Sequence, residues 1–271
     1  MPLTASKELP ILLLKPVFLQ IQSTGSAVSL LRVVGSSIAH ADQIDEIPEM
    51  DSTGRPVYRK KHDISFDHVD FSYDKRPILK NVNVTIPDRT TTAIIGPSGS
   101  GKTTLCSLIA RFWDVDSGSI RIGSTDIREY TLESLMDQIS MVFQNVYLFA
   151  DTIENNIRFG KPDATHEQVV AAAKKACCHD FISALADGYD TVIGEGGATL
   201  SGGEKQRISI ARAILKNAPV IIFDEATANV DPENEDKLQK AMEELMRNKT
   251  ILMIAHRLKT VQKADQILVL D

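Results

Sequence analysis

Apolar and polar residues alternate along "ISFDHVDFSY" (64–73) and again along "ILKNVNVTI" (78–86). A period of two is the mark of half-buried strands, and the two runs predict an antiparallel pair over about 64 to 87. "TTAIIG" is short, rich in β-branched residues and ends in glycine; "KTTLCSLIARFW" follows with apolar positions at helical spacing, so strand, loop and helix are expected in that order. "ISMVF" predicts a further strand. "THEQVVAAAKKACCHDFISAL" is helical in pattern and a second helix opens at Ser201, which places a mostly helical insert over about 148 to 216. "VIIFDE" and "TILMIAH" are continuous apolar runs separated by the helical "NEDKLQKAMEELMRN", and "QILVLD" follows them. Buried strands alternating with helices predict an α/β fold with a parallel core sheet, preceded by an antiparallel β subdomain.

The amino end reads differently. "LPILLLKPVFLQ" is apolar, but Glu8, Lys15 and Pro16 bound and interrupt it, so it falls short of the ~18 apolar residues of a spanning helix. Its uncharged core is also shorter than the apolar region of an export signal. Residues from 17 to about 40 are mildly amphipathic and predict helix. "ADQIDEIPEMDSTGRP" then brings acids, two prolines and a glycine together, which is linker composition. The expected organisation is a helical remnant over 1–40, a linker over 41–61 and a compact domain over 62–271.

Composition changes this picture little. The chain of 271 residues is 43% hydrophobic and 24% charged, enough for one large core. A net charge of −6 argues against a general nucleic-acid binder while leaving room for a local cationic phosphate site. Cys106, Cys177 and Cys178 have no metal-type spacing and read as structural thiols of a reducing cytosol.

The chemistry begins at Gly96-Pro97-Ser98-Gly99-Ser100-Gly101-Lys102-Thr103-Thr104, which fits GxxxxGK[ST] and lies between an apolar strand and a helix. Backbone amides of such a loop cradle phosphate oxygens and the helix N-terminus adds positive potential. Lys102 is the expected partner of β and γ phosphates, and the Thr103 hydroxyl a magnesium ligand. "VIIFDE" ends in Asp224, a carboxylate at a strand tip able to hold magnesium directly or through water. Glu225 follows as the group to polarise an attacking water. His256 ends the next apolar run, and Gln144 follows "ISMVF"; each gains meaning only from the others. In "LSGGEKQR", Ser201, Gly202, Gly203 and Glu204 spell a capping box whose glycines leave a second helix N-terminus bare.

"GPSGSGKTT", Gln144, "LSGGE", "VIIFDE", Asp231 and His256 stand in the order and spacing of the nucleotide-binding domain of an ATP-binding cassette (ABC) transporter, which residues 62–271 resemble. The resemblance implies two cassettes closing head to tail on two ATP molecules, each ATP held by one chain's P-loop and the other's Ser201, Gly202 and Gly203. It places Tyr73 on adenine, Gln144 at magnesium and the membrane domain, Asp231 in the loop crossing between cassettes, and His256 at the γ-phosphate. Asn229 replaces the commoner serine beside Asp231. "IGEGGATLSGGE", with Glu195, and the region before residue 62 are similar to fused half-transporters of the exporter type, in the multidrug, lipid and siderophore-related group. ATP and Mg2+ are thus the implied cofactors. A second cassette and a transmembrane domain are the implied partners, no nucleic acid is expected, and the implied place is the cytoplasmic face of the cell membrane. Against that family pattern the chain looks truncated at both ends. Two other readings fit the motifs: a soluble cassette ATPase that moves no solute, and a non-catalytic nucleotide-binding remnant. The repair-type soluble relatives need a coiled-coil insertion and the ribosome type two cassettes, and this sequence contains neither feature.

Overall fold

The alternating runs at 64–86 form the expected pair. In the computed structural model β1 (Ile64–Tyr73) and β2 (Arg76–Ile86) are antiparallel, with Ile64 opposite Ile86 and Phe66 opposite Val84. The structure describes residues 53–143, 145–194, 199–224, 232–255 and 261–271. The helix expected over 17–40 and most of the linker therefore lie outside the described residues. β4 (Ser117–Ile122) pairs with the other edge of β1 and β5 (Thr125–Asp126) with β4, making a four-stranded antiparallel sheet in the order β2-β1-β4-β5.

The core sheet is parallel throughout. It contains β3 (Thr91–Ile95), β6 (Ile139–Val142), β9 (Val220–Asp224), β10 (Thr250–Ile254) and β11 (Gln266–Val269), in the order β11-β3-β10-β9-β6. Successive residues of these strands point to opposite faces, and two cores result. Val220 and Ile222 of β9 join Leu252, Ile94 and the antiparallel sheet on one side, where Leu105 and Leu108 of helix α1 (Lys102–Ile109) also pack. Ile221 and Phe223 join Ala93, Ile251 and Met253 on the other. Continuous apolar runs such as "VIIF" are the consequence of a sheet covered on both sides.

α2 (Leu132–Asp137) leads into β6. The stretch expected to be a helical insert holds α3 (Ile153–Arg158), α4 (His166–Lys175), α5 (His179–Ser183) and α6 (Gly202–Lys216), but also a two-stranded ribbon of β7 (Asp151–Thr152) with β8 (Val192–Ile193). Thr152, Thr165 and Ser201 cap α3, α4 and α6 with their hydroxyls, so local sequence fixes where each of these helices begins. α7 (Pro232–Met246) crosses from β9 to β10 and buries Leu238, Ala241 and Leu245.

The end of the expected linker is docked. Val57 is buried, its carbonyl accepts from Gln138 Nε2 at 2.7 Å, and Arg55 bridges to Tyr130. Gln138 is itself 4% exposed, so Gln138→Ala strands a buried carbonyl and is expected to cost about 1–3 kcal/mol in urea unfolding. Among the described residues no helix is long and apolar enough to cross a membrane.

Candidate nucleotide site

The register of the core sheet brings the motifs together. Ile94 of β3 lies level with Ile254 of β10, and Ile254 with Asp224 of β9. The tips of these three strands face one end of the sheet, with β3 and β9 about 10 Å apart, two strand spacings. The phosphate loop leaves the first tip and Asp224 stands on the third. At the middle tip the Ala255 amide donates to the Ile94 carbonyl at 3.0 Å.

Gly101 is the N-cap of α1 with φ 91° and supplies no capping side chain, and no acid occupies the first turn. A left-handed φ at that point suits glycine alone, and a Cβ there would also press Leu79 of β2 at 2.8 Å. The first amides of α1 are thus left to an anion rather than to a cap. Lys102 is 7% exposed, and its ammonium donates to the carbonyls of Gly96 (3.0 Å) and Pro97 (2.8 Å). These bonds use two of its three donors and hold the charge at the mouth of the loop. Ser100 Oγ is buried with no hydrogen-bond partner. A buried hydroxyl left over in a loop of amides and one ammonium fits an incoming oxyanion. Pro97, Ser98 and Gly99 are exposed at the loop's outer surface, and Thr103 is exposed at the first turn of α1.

Asp224 is partly buried. Burial, and then the Asp224 carboxylate, push the Cys106 thiol on α1 well above its ordinary pKa. The acid therefore lies within electrostatic reach of α1, and a hydroxyl with a carboxylate at one end of the sheet is a donor set suited to magnesium. Cys106 stays a neutral, inert thiol, as the sequence suggested.

Tyr73 ends β1 half-buried, with Phe71 at 4.9 Å and Trp113 at 5.1 Å, both edge to face. Its strand meets the phosphate loop through Leu79, which pairs with Phe71 and touches Gly101. Trp113, 43% exposed, was not singled out by sequence reasoning; the aromatic pair in "RFWD" was the available signal.

At the second glycine-lined helix the capping box is complete. Ser201 Oγ accepts from the Glu204 amide at 3.3 Å, and Glu204 Oε2 accepts from the Ser201 amide at 2.8 Å. Gly203 is buried, whereas Gly202 is exposed and a Cβ there would meet nothing within 4 Å. Internal packing does not require glycine at 202; the space before it is open. Ser201→Ala is expected to remove about 1 kcal/mol of stability in urea unfolding, with Ser201→Gly costing a few tenths.

Gln144, Glu225, Asp231 and His256 lie outside the described residues. Sequence reasoning missed Gln206, which is 4% exposed on α6 and reaches the Phe143 carbonyl beside Gln144 at 3.4 Å.

A glycine loop and buried lysine at one strand tip, with a carboxylate at another tip of the same parallel sheet, define a P-loop nucleotide-binding domain. The ABC transporter family matches residues 79–228, more than half of the 271-residue chain, and the protein belongs to that family. It is 48% identical over 231 residues to the ATP-dependent lipid A-core flippase of Escherichia coli K12, covering 84% of this chain and 40% of the flippase. The flippase of Shigella flexneri matches equally. A solved bacterial Atm1-family ABC exporter with ATP bound aligns with a TM-score of 0.79 at 37% identity, over 95% of this chain and 46% of the exporter. The chain spans about two fifths of the length of these curated relatives.

Proposed function

We propose that this chain is the ATP-hydrolysing cassette of an exporter-type ABC transporter, working as one of a pair at the cytoplasmic face of the membrane. The observation that carries the reading is the phosphate loop, with Lys102 buried at its mouth and the orphaned Ser100 hydroxyl inside it. Loop amides and Lys102 would bind the β and γ phosphates, with Tyr73 beside the base. Thr103, Asp224 and Gln144 would hold magnesium, which neutralises phosphate charge as the terminal bond breaks. Glu225 would orient and deprotonate the attacking water, and His256 would donate to the γ-phosphate oxygens.

Two surfaces support the partners. The open approach to Gly202, at a helix end whose cap is internally satisfied, suits a γ-phosphate held by a second cassette, with Asp231 at the crossing between them. Tyr147, Phe149 and Phe159 are 73%, 38% and 61% exposed and pack together, edge to face and tilted, an aromatic patch suited to the membrane domain of the same transporter. The relatives' names point to export, and a lipid is the cargo class nearest to the flippase match.

Phosphate release by the purified chain tests the reading, with Gly202→Asp as the discriminating variant. Its side chain has room, so stability should stay within about 0.5 kcal/mol. A carboxylate facing an incoming phosphate should cut ATP-driven pairing and turnover at least tenfold. Undiminished pairing would remove the second cassette from this surface.

A further inference from the structure

Helix α6, which starts at the Ser201 capping box, is fastened at Arg212 to the surface patch just described. The Arg212 guanidinium donates through Nε to the Asn156 carbonyl (2.9 Å), through Nη2 to Asn156 Oδ1 (3.2 Å) and through Nη1 to the Tyr147 carbonyl (3.4 Å). Its carbon lies 5.7 Å from the Phe149 ring centroid and 5.5 Å from that of Phe159. Asn156, 1% exposed, returns to Phe149 by accepting from its amide and donating to its carbonyl. Gly160 completes the contact from the backbone side: a Cβ there would stand 2.2 Å from the Arg212 carbonyl. Residues 159 and 160 thus rest on Arg212 through both ring and main chain.

We propose that Arg212 is a positioning residue that transmits contact at the Tyr147–Phe149–Phe159 surface to the Ser201 end of α6. The two ends are eleven residues apart on one helix, about 16 Å, and Ile208, Ile210 and Ala211 between them are fully buried. A packed helix moves as a unit, so displacement of the aromatic patch is delivered to the glycine-lined end. The chemistry calls for arginine: a fixed fork serves three acceptors while its flat face lies on two rings, and an ammonium matches neither. Gln206 strengthens the link, because the same helix then holds chain on both sides of Gln144, at Phe143 and at Tyr147. The functional meaning rests on the reading of the Ser201 end as a phosphate contact, but the helix coupling does not.

The test is backbone hydrogen exchange on the full 271-residue chain without nucleotide, so its failure is separate from any failure of ATP turnover. Four chains are compared: wild type, Phe159→Ala, Arg212→Lys and the double variant. Phe159→Ala is expected to speed exchange of amides 205–208 at least threefold in the wild-type background, and to have no further effect there when residue 212 is lysine. Amides 105–109 of α1 should be unchanged in all four, which separates coupling from general loosening. Gly160→Ala, which pushes on the Arg212 carbonyl and Cγ while keeping the guanidinium, should speed the same 205–208 amides and serves if Arg212→Lys fails to fold. Unchanged 205–208 amides in Phe159→Ala, or an equal response in both backgrounds, overturns the proposal. So does a Gly160→Ala effect confined to residues 157–161.

Discussion

Glu225→Gln is expected to reduce ATP turnover by about 100- to 10,000-fold, the range a positioned general base contributes, while ATP affinity stays within about twofold. The substitution keeps shape and hydrogen-bonding reach and removes only the charge that accepts a proton. Asp224, immediately before it, ends β9 at the end of the sheet shared by the phosphate loop, so one step along the chain separates the proposed metal acid from the proposed base. Phosphate release and equilibrium ATP binding, measured on the same preparation, separate the two roles. Turnover within threefold of wild type would remove Glu225 from the water-activating role; lost binding would reassign it to holding the nucleotide or its metal.

Lys102→Ala is expected to weaken ATP binding by about 100-fold, roughly the 2–3 kcal/mol of a charge-assisted hydrogen bond to a phosphate. Folding should suffer far less. The carbonyls that lose a donor, those of Gly96 and Pro97, belong to partly or fully exposed residues that water can reach. A thermal melt near that of wild type beside a titration that has lost ATP binding is the expected pair of results. Retained affinity would mean that the loop amides and α1 carry the phosphates unaided.

Much of the site was legible in the sequence because its chemistry is local. The phosphate loop, the acid ending "VIIFD" and the capping box before α6 are each set by a handful of adjacent residues. Their backbone forms follow from glycine at 101 and serine at 201. β4 was not legible: "SGSIRI" has only Ile120 and Ile122 as inward anchors, and its partner β1 lies about fifty residues earlier. Strand order was hidden for a related reason, since β3 takes β10 and β11 as neighbours rather than anything near it in the chain. Arg212 gave no sign either. An arginine on an amphipathic helix reads as a solvated charge until tertiary structure supplies carbonyls and aromatic faces around it. Tyr73 was legible as a strand residue and its contact with Phe71 is local to β1, whereas its contact with Trp113 depends on the turn after α1 folding back over β1.

One contact gives the phosphate loop a place in the order of folding. A Cβ at Gly96 would lie 2.1 Å from the Leu270 carbonyl, whose own amide bonds Ile95 at 2.9 Å. The first glycine of the loop is therefore backed by residues that leave the ribosome 174 positions later. Docking of β11 against β3 closes a long loop, and such contacts form slowly. ATP affinity should therefore appear during synthesis only once β11 has been made and docked, well after the phosphate loop itself has emerged.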